Sequence, residues 1–332
     1  MITAILAVLL FILLILPHEL GHFVVAKSVG VKVNEFAFGM GPALWKKQKG
    51  ETQYTLRAFP IGGYCAMEGE NEESDNDRAF NNKPGWAKIM VLIAGSTMNV
   101  LVTVLILTIM ILYVGTATTT LGSVQDNSPA QAAGLKVGDV ITEVNGNKLE
   151  EWTDLSKSIS DDSTPVEITV DRNGVTKTFS ITPEKGDDGR YVIGVNCKVK
   201  HNPGTAFTGG WKATWSLTTS MYTSLKQLAT GQISANEVSG PVGMVTLVSE
   251  TTTKGLWYFA YLVALISLNL AIINMLPLPA LDGGRILFVI IRKCTGKMIS
   301  DQLEGRIHAA GMMLLLGLMV LVTWNDIGRL IS

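Results

Sequence analysis

The chain has 332 residues, room for two or three structural units, and only 17% of them are charged. Its mean hydropathy of +0.31 places it among membrane proteins, and a net charge of -1 leaves no basic footprint for nucleic acid. Cys65, Cys197 and Cys294 are odd in number and far apart, which points to neither a disulfide framework nor a CxxC metal site.

Residues 2–16 carry no charge. No basic stretch precedes them and no small-x-small cleavage site follows, so the segment is expected to be retained rather than removed as a leader. Taken to about residue 27, a first span over 4–27 can cross a hydrocarbon core of ~30 Å. Near its end stands Pro17-His18-Glu19-Leu20-Gly21-His22. One helical turn brings His18 and His22 onto one face, where two imidazoles can share a metal, and Glu19 beside them can take a proton from water. HExxH also arises by chance in soluble helices. Ionisable groups within a span cost a few kcal/mol each unless paired, so three in six residues argue for function. Pro17 either kinks the helix or is an ordinary transmembrane proline.

Residues 28–86 are polar and Gly-rich, and strands over 34–38 and 53–58 predict a β-hairpin, with its turn over 46–50 and Gly62-Gly63 ending the second strand. At membrane depth such strands need protein or a wet cavity beside them. The acidic run 68–77 reads as a solvated loop. A second span covers 88–114, with Gly95, Ser96, Thr97 and Asn99 near its start. Small residues there allow close helix packing, and Asn99 needs a partner, either in the bundle or at the active site.

Residues 116–200 predict a soluble α+β insert. A short helix ends at Gly134, a strand follows, Asn145-Gly146 makes a tight turn, 153–159 forms a longer helix, and 166–181 a hairpin around Asn173-Gly174. Over 201–255, Trp211, Trp215, Tyr222 and Leu225 recur at helical spacing, which suits a helix lying in the interface, or a stripe packed on the bundle. A third span covers 256–276 and a fourth 307–324. Between them, Pro277 and Pro279 stop helix formation, and Gly283-Gly284 permit a tight return that leaves Asp282 at the membrane face.

Taken together, His18-Glu19-x-x-His22, Gly95-x-x-x-Asn99, a PDZ-like insert and Asn274-x-x-Pro277-x-Pro279-x-Leu281-Asp282-Gly283 resemble the site-2 protease family, in its bacterial RseP-like form, over essentially the whole chain. The implied fold class is an α-helical polytopic membrane protein of about four transmembrane helices with a membrane-associated β-hairpin and an inserted α+β PDZ domain. Its parts are 1–115 (catalytic membrane part), 116–200 (PDZ domain), 201–255 (interfacial segment) and 256–332 (second catalytic membrane part). The resemblance implies Zn2+ held by His18, His22 and Asp282, with Glu19 as general base and Asn274 on the substrate backbone. It also implies that the 33–67 hairpin receives substrate as an added strand, so that Tyr54, Leu56, Gly62 and Gly63 are candidate substrate contacts; Asn99 of the second span is a further candidate. Tyr191, Ile193 and Gly194 look like the carboxylate-binding loop of a circularly permuted PDZ domain. One PDZ domain rather than two sets the chain apart from the proteobacterial pattern.

Lys and Arg number seven in 28–86 and five in 277–306, against none before the first span and only Arg329 after the fourth. The positive-inside rule then puts both polar loops in the cytoplasm and the termini and PDZ domain outside a bacterial cell membrane. Expected partners are single-pass transmembrane substrates, such as anti-sigma factors or signal-peptide remnants, an upstream site-1 protease, and membrane lipid. The PDZ domain would act by size exclusion or by binding a new C-terminus. Two other classes compete. A PDZ adaptor with structural zinc would need a closed four-ligand site, and a metal transporter would need ionisable residues along a path, where apart from the site named above only His308 stands in a span.

Overall fold

The computed structural model describes residues 2–70, 74–159, 163–186, 189–232, 240, 243, 246–248, 251, 255–295 and 301–331. They form two compact units, one of residues 1–107 with 210–332 and one of residues 108–209.

In the first unit, α1 (Ile2–Ser28) is a continuous helix with Pro17 inside it. Two long strands follow, β1 (Val33–Lys49) and β2 (Thr52–Met67), and then α2 (Gly85–Val114), whose last residues belong to the second unit. Among the described residues, four helices are long and apolar enough to cross a membrane, over Ile5–Ser28, Gly85–Val114, Leu256–Asn274 and Leu303–Gly328. Close helix approach is built into the sequence: a Cβ at Gly21 of α1 would stand 2.4 Å from the Ala94 carbonyl oxygen of α2. Leu10, Leu14, Phe259, Leu262 and Val263 form one apolar core, while Ala26, Val33, Met67, Val91 and Ile286 belong to another.

The strands are more folded than the simple hairpin expected. Gly39, Gly41 and Gly62 have φ of +87°, +82° and +86°, conformations open to glycine, and each marks a place where a strand bends back. As a result 35–38 pairs with 53–56 on one side and with 63–66 on the other, while 43–49 pairs with 52–57. The pair of strands thus makes four rungs, ordered 43–49, 52–57, 35–38, 63–67. The turn falls after Lys49, and Gly62-Gly63 is a bend within β2 rather than its end. Of the acidic run, whose residues 71–73 lie outside the described residues, the first part is not a solvated loop, since Glu68 pairs with Lys32 at 2.5 Å and Glu70 with Arg285.

In the second unit β3 (Thr116–Val124), α3 (Pro129–Ala133), β4 (Val140–Val144), β5 (Asn147–Lys148) and α4 (Trp152–Ser158) come first. They are followed by β6 (Val166–Arg172), β7 (Val175–Ile181), β8 (Glu184–Lys185), β9 (Tyr191–Val192) and β10 (Val195–Lys200). The main sheet runs β10-β3-β4-β6-β7 with β5 on β4, and β8 pairs β9. Alternation decides its faces: Val166, Ile168 and Val170 of β6 join Leu121, Ile141 and Ile181 in the core. Ser128 caps α3 by accepting from the Gln131 N–H, with Pro129 in the first turn and Gly134 left-handed at the end. Asn145-Gly146 and Asn173-Gly174 both have positive φ, as the sequence predicts for tight hairpin turns.

Further helices are α5 (Pro203–Ala229), α6 (Leu256–Asn274), α7 (Asp282–Thr295) and α8 (Asp301–Ile331). On α5, Ala206, Gly210 and Thr214 are buried while Phe207, Trp211, Trp215 and Tyr222 stand exposed. The segment after Asp282 is helix, which the sequence reading did not anticipate. Gly283 and Gly284 are there because the preceding loop crosses their backbone, a Cβ at either meeting the Leu276 or Leu278 carbonyl oxygen at 2.3 or 2.1 Å. The fourth membrane helix extends well beyond 307–324 at both ends.

Candidate metal centre

The helical period puts His18 and His22 on one face of α1, and both imidazoles are buried. Opposite them runs a single face of α2, whose residues 91, 95, 99 and 103 recur at intervals of four. Nδ1 of His22 donates to the carbonyl of Val91 at 2.8 Å, which leaves Nε2 free of a proton and available as a ligand. Gly95 lies directly beneath the pair, where a Cβ would be 2.3 Å from Nε2 of His22. Asn99, fully buried, brings its amide to 3.5 Å from Nδ1 of His18. With Nε2 of His18 given to a metal, Nδ1 carries the proton and needs an acceptor. Oδ1 of Asn99 has no hydrogen-bond partner among the described residues, and a half-turn of the amide presents it. Thr103 closes the series by donating to the carbonyls of Asn99 and, on α6, Ala264.

The third candidate ligand comes from the N-terminus of α7. Pro277 and Pro279 cannot donate, so α6 ends at Asn274 and an irregular loop returns the chain to Asp282. Oδ2 of Asp282 lies 3.5 Å from Nε2 of His18 and 3.4 Å from Nε2 of His22, and the two Nε2 atoms are 3.2 Å apart. A tetrahedral ion bound at ~2.0–2.1 Å has ligand atoms about 3.3–3.4 Å apart. The three spacings are those of such an ion's face, and Oδ2 is buried with no hydrogen-bond partner among the described residues. An orphaned buried carboxylate oxygen is costly unless a cation satisfies it. Burial works against charge on Asp282, yet the two imidazoles hold its carboxyl well below the usual carboxylate range. Two nitrogens and one oxygen could hold a zinc ion, and among the described residues no fourth such group joins them, a donor set that suits a hydrolytic rather than a structural site. Among the described residues no other group of His, Cys, Asp and Glu converges in this way.

The other expected site residues divide. Asn274 joins the cluster, its Nδ2 3.4 Å from Nε2 of His18. Gly63 passes beside Glu19, with a position for Cβ 3.4 Å from the Glu19 Cγ. Gly62 is the bend before it. Tyr54 and Leu56 lie in the inner rung 52–57, paired on both sides, and the Tyr54 ring packs against Phe23 and Phe36. Tyr191, Ile193 and Gly194 belong to the second unit, where they line a cleft with Trp152, Leu155 and Ile159 of the α4 region. The Val91 carbonyl and the Glu70–Arg285 pair escaped sequence reasoning, the first because any residue can supply a carbonyl, the second because its partners meet only in the fold.

Three groups able to hold a metal, converging beside apolar helices long enough to cross a membrane, are the arrangement of a membrane metallohydrolase. The chain belongs to peptidase family M50, whose profile matches residues 6–318, and is a metalloprotease of the site-2 type. A chain of Clostridium acetobutylicum named as a candidate zinc metalloprotease is 38% identical over 97% of this chain and 96% of its own. The regulator of sigma-W protease RasP of Bacillus subtilis is 29% identical, with 99% of each chain covered. Among solved structures, the PDZ domain of the SdrC-like protein of Listeria innocua is 24% identical over 26% of this chain and 99% of that one, with a TM-score of 0.23, too low to bear on the fold.

Proposed function

We propose that this protein hydrolyses peptide bonds within the transmembrane segments of single-pass membrane proteins, with Glu19 as general base and His18, His22 and Asp282 as zinc ligands. The convergence of Asp282 Oδ2 on the two Nε2 atoms carries this reading. Zinc, when bound, supplies a Lewis acid that polarises a carbonyl and lowers the pKa of water towards ~7. Glu19 takes the proton from the attacking water and returns it to the leaving amine. Asn274, beside His18, offers its amide to the substrate backbone or to the oxygen on which charge develops, a contribution of about 10²-fold or more in rate.

A helical substrate has its carbonyls hydrogen-bonded internally and shielded by side chains, so it must unwind before hydrolysis. The outer rung 63–67, paired with 33–38 on one side, supplies replacement hydrogen bonds next to Glu19. That assignment moves the substrate edge from Tyr54 and Leu56 to Gly63 and the residues after it. Asn99 then serves His18 rather than the substrate.

The excess of Lys and Arg in 28–86 and 277–306 supports an active site towards the cytoplasm, with the PDZ domain on the opposite side. In that position it acts as a gate, admitting anti-sigma factors or signal-peptide remnants already shortened by a first protease.

The test is cleavage of a single-pass substrate lacking an outer domain by purified wild type and Glu19→Gln in detergent, with the zinc content of both. Zinc in both and cleavage only by wild type is the expected result. Equal cleavage by the two, or zinc without cleavage of any of several substrates, would overturn the proposal.

A further inference from the structure

His308 is the one histidine of a membrane helix that the metal cluster leaves unused. It lies on α8, and its Nδ1 accepts a hydrogen bond from the backbone N–H of Ala280 at 2.8 Å. Ala280 has a φ of +74°, a left-handed conformation that residues with a Cβ disfavour. The bend is what carries the chain from Pro279 into α7 with Asp282 in its first turn. Since Pro277 and Pro279 have no N–H, the loop has few donors with which to hold itself, and the Ala280 N–H is one of them.

A second observation places α8 firmly against the same loop. Gly311, three residues beyond His308 and so on the same helix face, leaves no room for a side chain: a Cβ there would lie 2.4 Å from the Cβ of Pro279 and 2.9 Å from its carbonyl oxygen. The His308 ring is itself held by Phe288 of α7, with ring centroids 5.5 Å apart. Behind the loop, Gly283 and Gly284 bring α7 into contact with the carbonyls of Leu276 and Leu278. The loop that delivers Asp282 is thus enclosed between α7 and one face of α8.

We propose that His308, seated with Gly311 against Pro279-Ala280, is a positioning residue of the metal centre: it holds Ala280 left-handed and thereby fixes the aim of Asp282. This rests on Asp282 being a zinc ligand. Its role is that of an outer partner that orients a ligand without touching the ion, and such partners are worth about 10- to 100-fold in metal affinity when they bond the ligand itself. Acting through two further residues, His308 belongs at the lower end of that range.

The experiment is zinc affinity of the full chain in detergent, by competition with a chromogenic chelator, together with the thermal midpoint of the zinc-free protein. His308→Leu is expected to weaken zinc about tenfold with little change in the zinc-free midpoint. His308→Asn, whose Oδ1 can accept where Nδ1 does, is expected to stay within about twofold of wild type. In an Ala280→Gly background, where the left-handed bend is open to the residue itself, the His308→Leu loss should shrink. Gly311→Ala, which drives α8 off Pro279, should weaken zinc without any change at position 308. Unchanged zinc affinity in both His308→Leu and Gly311→Ala, or an Asn variant as weak as the Leu variant, would overturn the inference. If wild type itself binds no zinc, the reading of Asp282 as a ligand fails first, and separately.

Discussion

Gly95 of α2 leaves no space for a methyl group beneath His22, since a Cβ there would lie 2.3 Å from the imidazole Nε2 and 2.7 Å from Cε1 of His18. The two helices therefore meet at a point where one side contributes two imidazoles and the other contributes nothing but backbone. Gly95→Ala must push either α2 or both rings, and overpacking of this kind costs about 1–3 kcal/mol. Zinc affinity and cleavage should both fall roughly ten- to a hundredfold, as chelator competition and substrate assays would read. An alanine variant with wild-type zinc affinity would mean that the α1–α2 contact yields easily.

Asn99 offers a sharper test of how His18 is held. Asn99→Ala removes the only described side chain at His18 Nδ1, and the loss of an outer partner should weaken zinc 10- to 100-fold. Asn99→Asp keeps an acceptor for the Nδ1 proton and should retain more affinity than alanine. The reverse order would show that the amide's donor is what matters, and would return Asn99 to the substrate.

Glu70 joins the end of the outer rung to the helix that begins at Asp282. One carboxylate oxygen accepts from the Met67 N–H at the end of the outer rung at 3.3 Å, and the other pairs with Arg285, three residues past Asp282. Removing one member of a buried pair costs ~3–5 kcal/mol, and the partial exposure of this pair brings the expected loss to about 2–3 kcal/mol. Glu70→Ala and Arg285→Ala should each impair cleavage, and the double variant should be no worse than either. A double-mutant cycle gives the coupling directly; strict additivity would show that the pair does not link the strand edge to the metal helix.

In the second unit Asp139 is buried and held by a two-bond clamp. Nε of Arg172 reaches Oδ1 at 2.6 Å and Nη2 reaches Oδ2 at 2.7 Å, while the Lys136 N–H donates to Oδ2. The Arg172 guanidinium, followed by the Lys136 N–H, holds the Asp139 carboxyl below its ordinary value against the cost of burial. A depressed carboxyl contributes stability above its unfolded pKa of ~3.9, and that contribution is lost as pH falls through the lower folded value. Protection of the amides over 116–200, corrected for the intrinsic pH dependence of exchange, should therefore change little from pH 7 to about 5 and fall below 4. In Asp139→Asn the acid-dependent part of that loss of protection should disappear.

Much of this was legible in the sequence because it is local. The spacing of His18 and His22 places both on one helix face whatever surrounds them, and Asn145-Gly146 and Asn173-Gly174 form tight turns because their backbones tolerate positive φ. Four apolar runs became four long helices for the same reason: in lipid the backbone must satisfy itself. The β-strands were harder. Gly39, Gly41 and Gly62 read equally well as strand ends or as bends inside a strand, and only the pairing of 35–38 on both sides decides between them.

The sequence by itself determined the chemistry of this protein: two imidazoles and a carboxylate in one turn of a membrane helix, and a proline-broken segment carrying a second carboxylate. The tertiary structure alone decided how these groups meet. Oδ2 of Asp282 comes within 3.4–3.5 Å of both Nε2 atoms because the prolines end α6, Ala280 bends the loop, and Gly95 and Gly311 let neighbouring helices close in. Such contacts depend on the absence of side chains at positions far apart in the chain. A glycine in sequence shows only that nothing is there, and its use becomes visible when another element occupies the space.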